Sequence, residues 1–344
     1  MNKTIVTFGE IMLRLRSPAH ERLFQSPMLE ATFGGGEANV AISLATFGMN
    51  AVFVTSLSSD RIGEAAIRVL RSHGVDTSRI AKTAYRTGIY FLETGADQRG
   101  SVVIYDRAGS AAAMMKPGDF DWPAIFAGAD WFHVTGITPA LSRSAAEAAI
   151  EAAIAAKAAG LSVSVDLNYR KKLWNYGVAA PEMMRRLVAV ADVLVGNEED
   201  LQLALGMKAE GANPGAGEID IAMYRRLAER TKAEFPSVSI VAITLRESRS
   251  ANRNGWSAVL LGRSGFRASR KYEIEDIVDR VGGGDSFAAG LIFGLLEYGD
   301  EGRALEYAVA ASALKHSISG DFNLATREEV ERLAAGDGRG RVSR

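Results

Sequence analysis

Three glycines before an aspartate, Gly282-Gly283-Gly284-Asp285, carry the clearest chemistry in this sequence. Apolar residues at helical spacing follow as far as Leu296, so this run predicts the start of a helix. Glycine lets backbone N–H groups turn toward one point, and the helix dipole adds positive potential there. We therefore expect an anion hole, with Asp285 beside the bound anion. A plain glycine turn with a capping aspartate is the alternative explanation.

A second glycine cluster, Gly34-Gly35-Gly36, precedes Glu37-Ala38-Asn39 and opens an amphipathic segment that ends at Gly48. Neither cluster is a Walker loop, because no Gly-Lys-Ser/Thr follows, and neither completes the dinucleotide fingerprint. The presence of two such clusters favours a binding site over a plain turn.

The rest of the chain indicates the scaffold that must hold these clusters. From about Trp131 onward, short β-rich runs alternate with helical segments, one of which is the alanine-rich stretch 145–159. This alternation is typical of a parallel sheet covered on both faces, which is a doubly wound α/β fold. The β-rich runs are 131–137, 161–168, 193–197 and 240–245.

A small additional sheet is predicted earlier in the chain. Residues 87–93 and 101–105 flank a polar turn at 95–100 and suggest an antiparallel hairpin, which residues near 11–30 could join. Such a sheet could act as a lid that excludes water from a reaction centre. We thus expect one α/β domain over residues 1–334, with lid segments at about 11–30 and 87–108 inserted. The Gly- and Arg-rich segment 335–344 predicts a disordered tail.

Composition narrows the classes of function. The 344 residues include 40 Lys and Arg against 41 Asp and Glu, without a basic run interleaved with aromatics, so a nucleic-acid partner is not expected. The absence of cysteine excludes thiol chemistry and suits a reducing cytoplasm. No stretch approaches the roughly 20 apolar residues of a membrane helix, and the first residues do not form a signal segment. We expect a cytoplasmic protein with a small-molecule partner.

The two glycine segments closely resemble the two signatures of the ribokinase-like sugar kinases, also called the phosphofructokinase-B family. The resemblance spans nearly the whole chain, in the expected order. It implies a ribokinase-like fold that transfers phosphate from ATP with Mg²⁺, and Asp285 as catalytic base. This agrees with the chemistry above, because phosphoryl transfer mainly needs positioning, charge neutralisation and a proton acceptor. The resemblance also implies an anion hole from the amides of Gly282, Gly283 and Gly284, and sugar contacts from Gly34, Gly35 and Asn39.

A third segment, Asn197-Glu198-Glu199-Asp200, resembles the family's Asn-x-x-Glu motif, which acts through water on magnesium. Asp200 replaces the usual Glu and has a shorter reach. A helix N-terminus enriched in acids is the alternative explanation for both Asn197 and Asp200. The resemblance also places Asp279 near the monovalent cation site of relatives, so it suggests K⁺ as a further cofactor.

The nucleotide-binding strand departs from the family pattern. Many relatives carry a Gly-rich turn here, whereas Thr244-Leu245-Arg246-Glu247-Ser248 is predicted to enter a polar loop that ends near Trp256. We expect Thr244, Arg246 and Ser248 to contact the nucleotide. ATP is implied by the family rather than by this loop.

Several segments resemble the 2-keto-3-deoxygluconate kinases within the family. They lie at 88–90, 105–112, 166–170 and 313–323. The resemblance implies a sugar-acid substrate, 2-keto-3-deoxygluconate, which would become 2-keto-3-deoxy-6-phosphogluconate. It implies substrate contacts from Tyr90, Tyr105, Arg107, Arg170 and Asp321, and phosphate contacts from Asn168 and Arg170.

Two arginines aimed at one pocket suit a carboxylate, because a guanidinium offers paired donors. The alternatives are that Arg107 is a solvated strand residue and that Arg170 binds only phosphate. Asp106 stands where many relatives have a second tyrosine, and we expect it to point away, since neighbours on a strand face opposite sides. The histidines His20, His73, His133 and His316 show no metal-ligand spacing.

Two other functions stay open at this point. One is a fructokinase-like or other sugar kinase of the same family. The other is a non-catalytic sugar-binding regulator, which should have lost the base, the glycines or the magnesium motif. We also expect a homodimer or a higher homo-oligomer, because an isolated two-sided sheet favours burial.

Overall fold

The computed structural model describes residues 3–207 and 220–338, where strands and helices alternate. The strands are β1 (Thr4–Phe8), β2 (Met12–Arg16), β3 (Glu30–Gly34), β4 (Asn50–Ser58), β5 (Ile80–Thr83), β6 (Ile89–Glu93), β7 (Val102–Asp106), β8 (Trp131–Thr135), β9 (Ser162–Asp166), β10 (Val193–Gly196), β11 (Ile240–Ser248), β12 (Asn254–Leu261), β13 (Phe266–Ala268) and β14 (Tyr272–Ile274). The helices are α1 (Gly36–Thr46), α2 (Arg61–Ser72), α3 (Trp122–Phe126), α4 (Ile137–Leu141), α5 (Arg143–Ala158), α6 (Ala180–Val188), α7 (Glu198–Leu205), α8 (Ile221–Glu234), α9 (Gly283–Tyr298), α10 (Glu301–Lys315) and α11 (Arg327–Ala334).

The central sheet follows the order β13-β12-β11-β10-β9-β8-β1-β4-β5, and β14 also pairs with β12. Neighbours from β11 to β5 run parallel. The strands β12, β13 and β14 add an antiparallel edge. Successive residues of β1 pack on opposite faces, because Ile5 joins the core with α1, α9 and α10, whereas Val6 joins the core with α5. The predicted doubly wound, mostly parallel fold is confirmed.

A second sheet lies apart from the first, in the order β3-β2-β6-β7. The predicted hairpin forms between β6 and β7, while β2 pairs parallel with β6 and antiparallel with β3. One face of this sheet is buried by Met12, Tyr90 and Leu92, and the other exposes Ile104. The expected small sheet is thus present, and β3 extends it into the first glycine cluster.

Helices α9 and α10 pack closely enough to make a stiff base for the second glycine cluster. A Cβ added at Gly290 would lie 2.8 Å from the Cα of Ala308, and one at Gly294 would lie 2.5 Å from the Cα of Ala304. Only glycine permits this approach without a shift of backbone.

Among the helices that the structure describes, none is long and apolar enough to cross a membrane. The predicted tail lies outside the described residues from position 339 onward.

One expectation about the fold was wrong. The residues after Thr244 do not form a polar loop that reaches Trp256, because β11 continues to Ser248 and pairs with β12. Glu247 of β11 forms an ion pair at 2.6 Å with Lys271, which comes just before β14. Cross-strand pairing of this kind is invisible in local composition.

Candidate active site

A cleft of about 690 Å³ lies at the carboxyl edge of the central sheet. Residues at the ends of three parallel strands line it, namely Glu10 after β1, Asp166 in β9 and Gly196 in β10. Open α/β sheets bind ligands at this edge. The buried face of the small sheet supplies Met12 and Tyr90 to the opposite wall. The cleft therefore lies between the two sheets.

Asp285 lies on the floor of the cleft, in the first turn of α9, and is nearly buried. Its carboxylate accepts a hydrogen bond from Nδ2 of Asn39 at 2.7 Å. Burial raises the pKa of Asp285 to about 6, although the Asn39 hydrogen bond opposes the rise. A carboxylate with a pKa near neutrality is well suited to take a proton from a hydroxyl group.

The glycines before Asp285 leave room for an anion. Gly282 has φ 83°, in the region that favours glycine, and a Cβ there would lie 2.0 Å from the carbonyl oxygen of Asp321. Of the three predicted amides, that of Gly283 already donates to the carbonyl oxygen of Arg280 at 3.3 Å. The N–H groups of Gly284 and Asp285 belong to the first helical turn, which offers them no carbonyl partner. A Cβ on Gly284 would meet nothing within 4 Å, so open space faces these amides.

The side chains of Asn39 and Asp285 join the first glycine cluster to the second. Asn39, which holds Asp285, also accepts a hydrogen bond from the N–H of Gly35. Gly35 and Asn39 line the cleft, as predicted. Gly34 does not line it, and a Cβ there would lie 1.9 Å from Oδ2 of Asp321, so this glycine is needed for close packing.

Glu37, in the first turn of α1, fastens that helix to the central sheet. Its Oε1 accepts hydrogen bonds from the N–H and the hydroxyl of Thr135 and from the hydroxyl of Thr138, at 2.8 to 2.9 Å. Burial raises its pKa to about 7. Glu37 does not line the cleft.

A buried ionic cluster connects the small sheet to the core. Arg14 of β2 pairs with both Asp279 and Asp321, and the hydroxyl of Tyr90 donates to Asp321. Burial raises the pKa of Asp321, although Arg14 and Tyr90 oppose the rise. Tyr90 and Asp321 both line the cleft, whereas Asp279 does not. Sequence reasoning missed Arg14, whose only signal was the alternation of basic and apolar residues in β2, which Arg16 shares.

Asn197 and Asp200 form a reciprocal capping box at the start of α7. Asp200 also accepts a hydrogen bond from the N–H of Tyr169, so backbone donors occupy both of its oxygens. The alternative explanation, an acidic helix N-terminus, therefore describes part of their role, although both residues line the cleft. Asp166 is buried beside them, and its pKa lies well above the ordinary range because of burial and the charges of Asp200 and Asp285. The only sequence signal for Asp166 was an acidic residue at the end of a short strand of alternating serine and valine.

This corner of the cleft suits Mg²⁺ bound through water. Oδ1 of Asn168 is buried without a hydrogen-bond partner. A cation nearby would stabilise the charged form of the Asp166 carboxylate, which burial disfavours. Within residues 3–207 and 220–338, no three His, Cys, Asp or Glu side chains are grouped to hold a metal directly. Oxygen ligands of this kind, with water completing the shell, are typical of magnesium.

The predicted nucleotide residues are only partly brought together. Thr244 and Arg246 line the cleft, but Ser248 does not, because β11 carries it past the rim. The cross-strand neighbour of Arg246 is Trp256, which lines the cleft although the sequence did not indicate it. Arg280 and His316 also line it and were likewise missed.

The wall formed by β7 carries Tyr105 and Arg107, which both line the cleft. The guanidinium of Arg107 is 7% exposed and lies 4.2 Å from the ring centroid of Tyr105. Its Nε and Nη1 have no hydrogen-bond partner, although Nη1 lies 3.4 Å from Oε2 of Glu10. Asp106 does point away, because it pairs with Arg86 and does not line the cleft. Buried donors without a hydrogen-bond partner are rare in proteins, so these donors of Arg107 are available to a ligand in the cleft.

The two predicted arginines face different groups. Arg107 lies beside Glu10, whereas the charge of Arg170 acts on Asp166, Asp200 and Asp285. Arg170 is exposed and lines the cleft. They therefore belong to different parts of the cleft.

Comparisons with known proteins agree with this geometry. The sequence profile of the pfkB family carbohydrate kinases matches residues 2–325. The chain is 32% identical to a 2-dehydro-3-deoxygalactonokinase of Haloferax volcanii, over 98% of each chain. It is 30% identical to a 2-dehydro-3-deoxygluconokinase of Thermoproteus tenax, over 96% of this chain and 94% of that one. The crystal structure of a 2-dehydro-3-deoxygluconokinase from Thermotoga maritima superposes with a TM-score of 0.91 at 45% identity, covering 98% and 99% of the two chains.

Proposed function

Because this chain belongs to the pfkB family of carbohydrate kinases, we propose that it phosphorylates 2-keto-3-deoxygluconate with ATP. This sugar acid is the 2-dehydro-3-deoxygluconate named in its relatives, and the product is 2-keto-3-deoxy-6-phosphogluconate. One observation carries the proposal. A buried base, Asp285, lies beside an open helix N-terminus in the same cleft as the unpartnered donors of Arg107.

The reaction centre consists of Asp285, Asn39 and the glycines at 282–284. Asp285 would accept the proton of the sugar hydroxyl as that oxygen bonds to the γ-phosphorus of ATP. The bond between that phosphorus and the bridging oxygen of the β-phosphate breaks at the same time, and ADP leaves. Asn39 keeps the carboxylate aimed through its hydrogen bond. The N–H groups at the start of α9 neutralise charge on the phosphate oxygens, which is usually the largest contribution that an enzyme makes to such a step.

The magnesium site is proposed for Asn197 and Asp200, acting through water, with Asp166 and Asn168 beside them. Mg²⁺ bound there would neutralise negative charge on the nucleotide phosphates. The chain's own contribution is a rigid set of oxygen ligands, because the capping box fixes Asn197 and Asp200 on α7. Thr244 and Arg246 would contact the nucleotide from the neighbouring strand.

The recognition wall consists of Glu10, Tyr105 and Arg107. We assign the substrate carboxylate to Arg107, because its buried guanidinium has donors without a hydrogen-bond partner and a carboxylate can accept from them. Arg170 would instead face the phosphates, since its charge acts on Asp285 and Asp166. This division replaces the clamp of two arginines that the sequence suggested. Tyr90 and Asp321, which are hydrogen-bonded to each other, would contact the sugar hydroxyls.

Glu10 is the observation that supports a second candidate, a kinase for a neutral ketose such as fructose. A sugar hydroxyl could donate to Oε2 of Glu10 and accept from Arg107, because these atoms lie only 3.4 Å apart. Burial raises the pKa of Glu10, although the charge of Arg107 opposes the rise. Against the neutral-ketose candidate, the relatives at 30 to 45% identity are named for sugar acids. The regulator hypothesis has no support, since the base, the glycines and the capping pair are all present.

The substrate assignment is tested by measuring ADP release with three substrates. These are 2-keto-3-deoxygluconate, its galactonate epimer and fructose. We expect kcat/KM to be at least about tenfold higher for the acids than for fructose, because only the acids offer Arg107 a negatively charged acceptor. The epimer is included because the Haloferax relative is named for it. A higher kcat/KM with fructose would establish the second candidate.

We also propose that two chains pair through the outer face of the small sheet. Ile104 and Val102 are about half exposed there, and Phe24, which contacts Phe91, is 71% exposed. An apolar sheet face of this kind favours burial against a partner. Light scattering would give the mass of two chains, and the mass of one chain would contradict the proposal.

A further inference from the structure

Lys315, the last residue of α10, is a buried cation that the reaction scheme above does not use. Its Nζ donates to the carbonyl oxygen of Asp279 at 3.2 Å and to that of Ile318 at 3.0 Å. Its side chain also packs beside the anion hole, because a Cβ on Gly282 would lie 3.3 Å from Cε of Lys315. The ammonium therefore touches the loop that forms the hole.

Other contacts from the end of α10 reach the same loop. The hydroxyl of Ser312 donates to the carbonyl oxygen of Gly283 at 2.7 Å. The carbonyl oxygen of His316 accepts from the N–H groups of Val278 and Asp279. Lys315 lies between these two contacts in sequence, so three successive contacts fix residues 278–283 on α10.

The charges around Lys315 show what the ammonium offsets. Asp279, Asp321 and Asp285 all act on it as negative charges, and Arg14 is the other nearby cation. Burial lowers the pKa of Lys315 to about 8, and Asp279 and Asp321 oppose the fall. The group thus remains mostly protonated at neutral pH. Without it, Asp279 and Asp321 would be left with Arg14, and Asp279 with Arg16 at 4.0 Å, as their cations beside the place proposed for a phosphate.

We propose that Lys315 is a positioning residue whose ammonium acts as a tethered monovalent cation for the anion hole. Backbone carbonyl oxygens are the groups with which proteins replace the hydration shell of a monovalent ion, and Lys315 already satisfies two of them. The native chain therefore needs no free K⁺ at Asp279, which the sequence had suggested. The inference rests on the proposed kinase function, in which residues 282–284 bind phosphate.

A simpler role for Lys315 is to cap the negative end of α10. That role would change thermal stability but would not make nucleotide binding respond to added small cations. The two roles can be separated by truncating the side chain. Lys315→Ala leaves space beside the two carbonyl oxygens, whereas Lys315→Met fills most of that space without a charge.

The experiment measures binding of a non-hydrolysable ATP analogue by calorimetry at constant ionic strength. The salts are those of ammonium, potassium and choline. We expect Lys315→Ala to lose about tenfold or more in affinity in choline, because a charged hydrogen-bonding group is lost. Ammonium or potassium should recover most of that loss. Lys315→Met should show the same loss and little recovery. Lys157→Ala, which removes a surface lysine paired with Asp192, should match the native protein in every salt.

Several results would overturn the inference. One is native affinity of Lys315→Ala in choline, and another is a loss that neither ammonium nor potassium reverses. If Lys315→Ala does not fold, the native protein still decides, because activation of its ATPase or kinase turnover by potassium would contradict a tethered cation. Nucleotide binding needs no sugar, so a native chain that binds the analogue but phosphorylates no sugar acid would refute the substrate assignment alone.

Discussion

The reaction centre and the recognition wall of this cleft are built in different ways. At the reaction centre, Asp285 is held by Asn39, and the glycine loop is fixed by α10, so its side chains already have partners within the protein. At the recognition wall, Arg107 keeps two buried donors without a partner, and Oε2 of Glu10 also lacks one. The side chains of the first region are paired without a ligand, although its N–H groups at the start of α9 stay open for a phosphate, whereas the side chains of the second region are left for a ligand to pair.

This difference teaches where each kind of mutation should act. A preorganised centre contributes to the chemical step for every substrate, since its groups need no rearrangement. A wall with unsatisfied donors discriminates between substrates. Only a ligand that accepts hydrogen bonds from those donors recovers the free energy lost when they were buried. Changes at the centre should therefore lower kcat, and changes at the wall should alter the ratio of kcat/KM values.

The largest effect is expected for Asp285→Asn. This change removes the proton acceptor with almost no change of volume, so kcat should fall by about a thousandfold or more with any substrate. Steady-state kinetics measures the fall. A variant that keeps near-native kcat would show that Asp285 is not the base.

Stability provides the control for that variant. Since burial raises the pKa of Asp285 from 3.8 to about 6, its ionisation costs the folded state stability as pH rises through that window. The Asn variant escapes this cost, so at neutral pH it should unfold at a temperature no lower than the native protein. A large fall in Tm would mean that the loss of activity reflects damage to the fold.

A smaller effect is expected from pH. Asp285 must be ionised to act, so kcat/KM should fall by roughly tenfold per unit below a pH of about 6. Glu37 has a pKa of about 7 but lies outside the cleft, which makes Glu37→Gln the matched control. In Glu37→Gln, kcat/KM should fall at low pH over the same pH range as in the native protein. If Glu37→Gln shifts or abolishes this fall of kcat/KM at low pH, the group that titrates is Glu37.

The sequence predicted the reaction centre better than the wall. Glycine runs, Asp285 and the alternating strands are local signals, and local signals fixed the fold class and the residues that meet at α9. The partners of Arg14, Arg107 and Lys315 lie far away in the chain and could not be read from spacing. The pairing of β11 with β12 places Ser248 outside the cleft and Trp256 inside it. This pairing also depends on residues that are apart in the chain, so local spacing did not show it.

The most direct test of the account compares Arg107→Met with Arg86→Met. Both variants remove a guanidinium and keep an apolar stem, but Arg86 lies outside the cleft and pairs with Asp106. The measured quantity is kcat/KM for 2-keto-3-deoxygluconate divided by kcat/KM for fructose. We expect this ratio to fall at least about tenfold in Arg107→Met, because a charged partner of the carboxylate is lost, and to stay near the native value in Arg86→Met. An unchanged ratio in Arg107→Met would contradict the assignment of the carboxylate to the recognition wall.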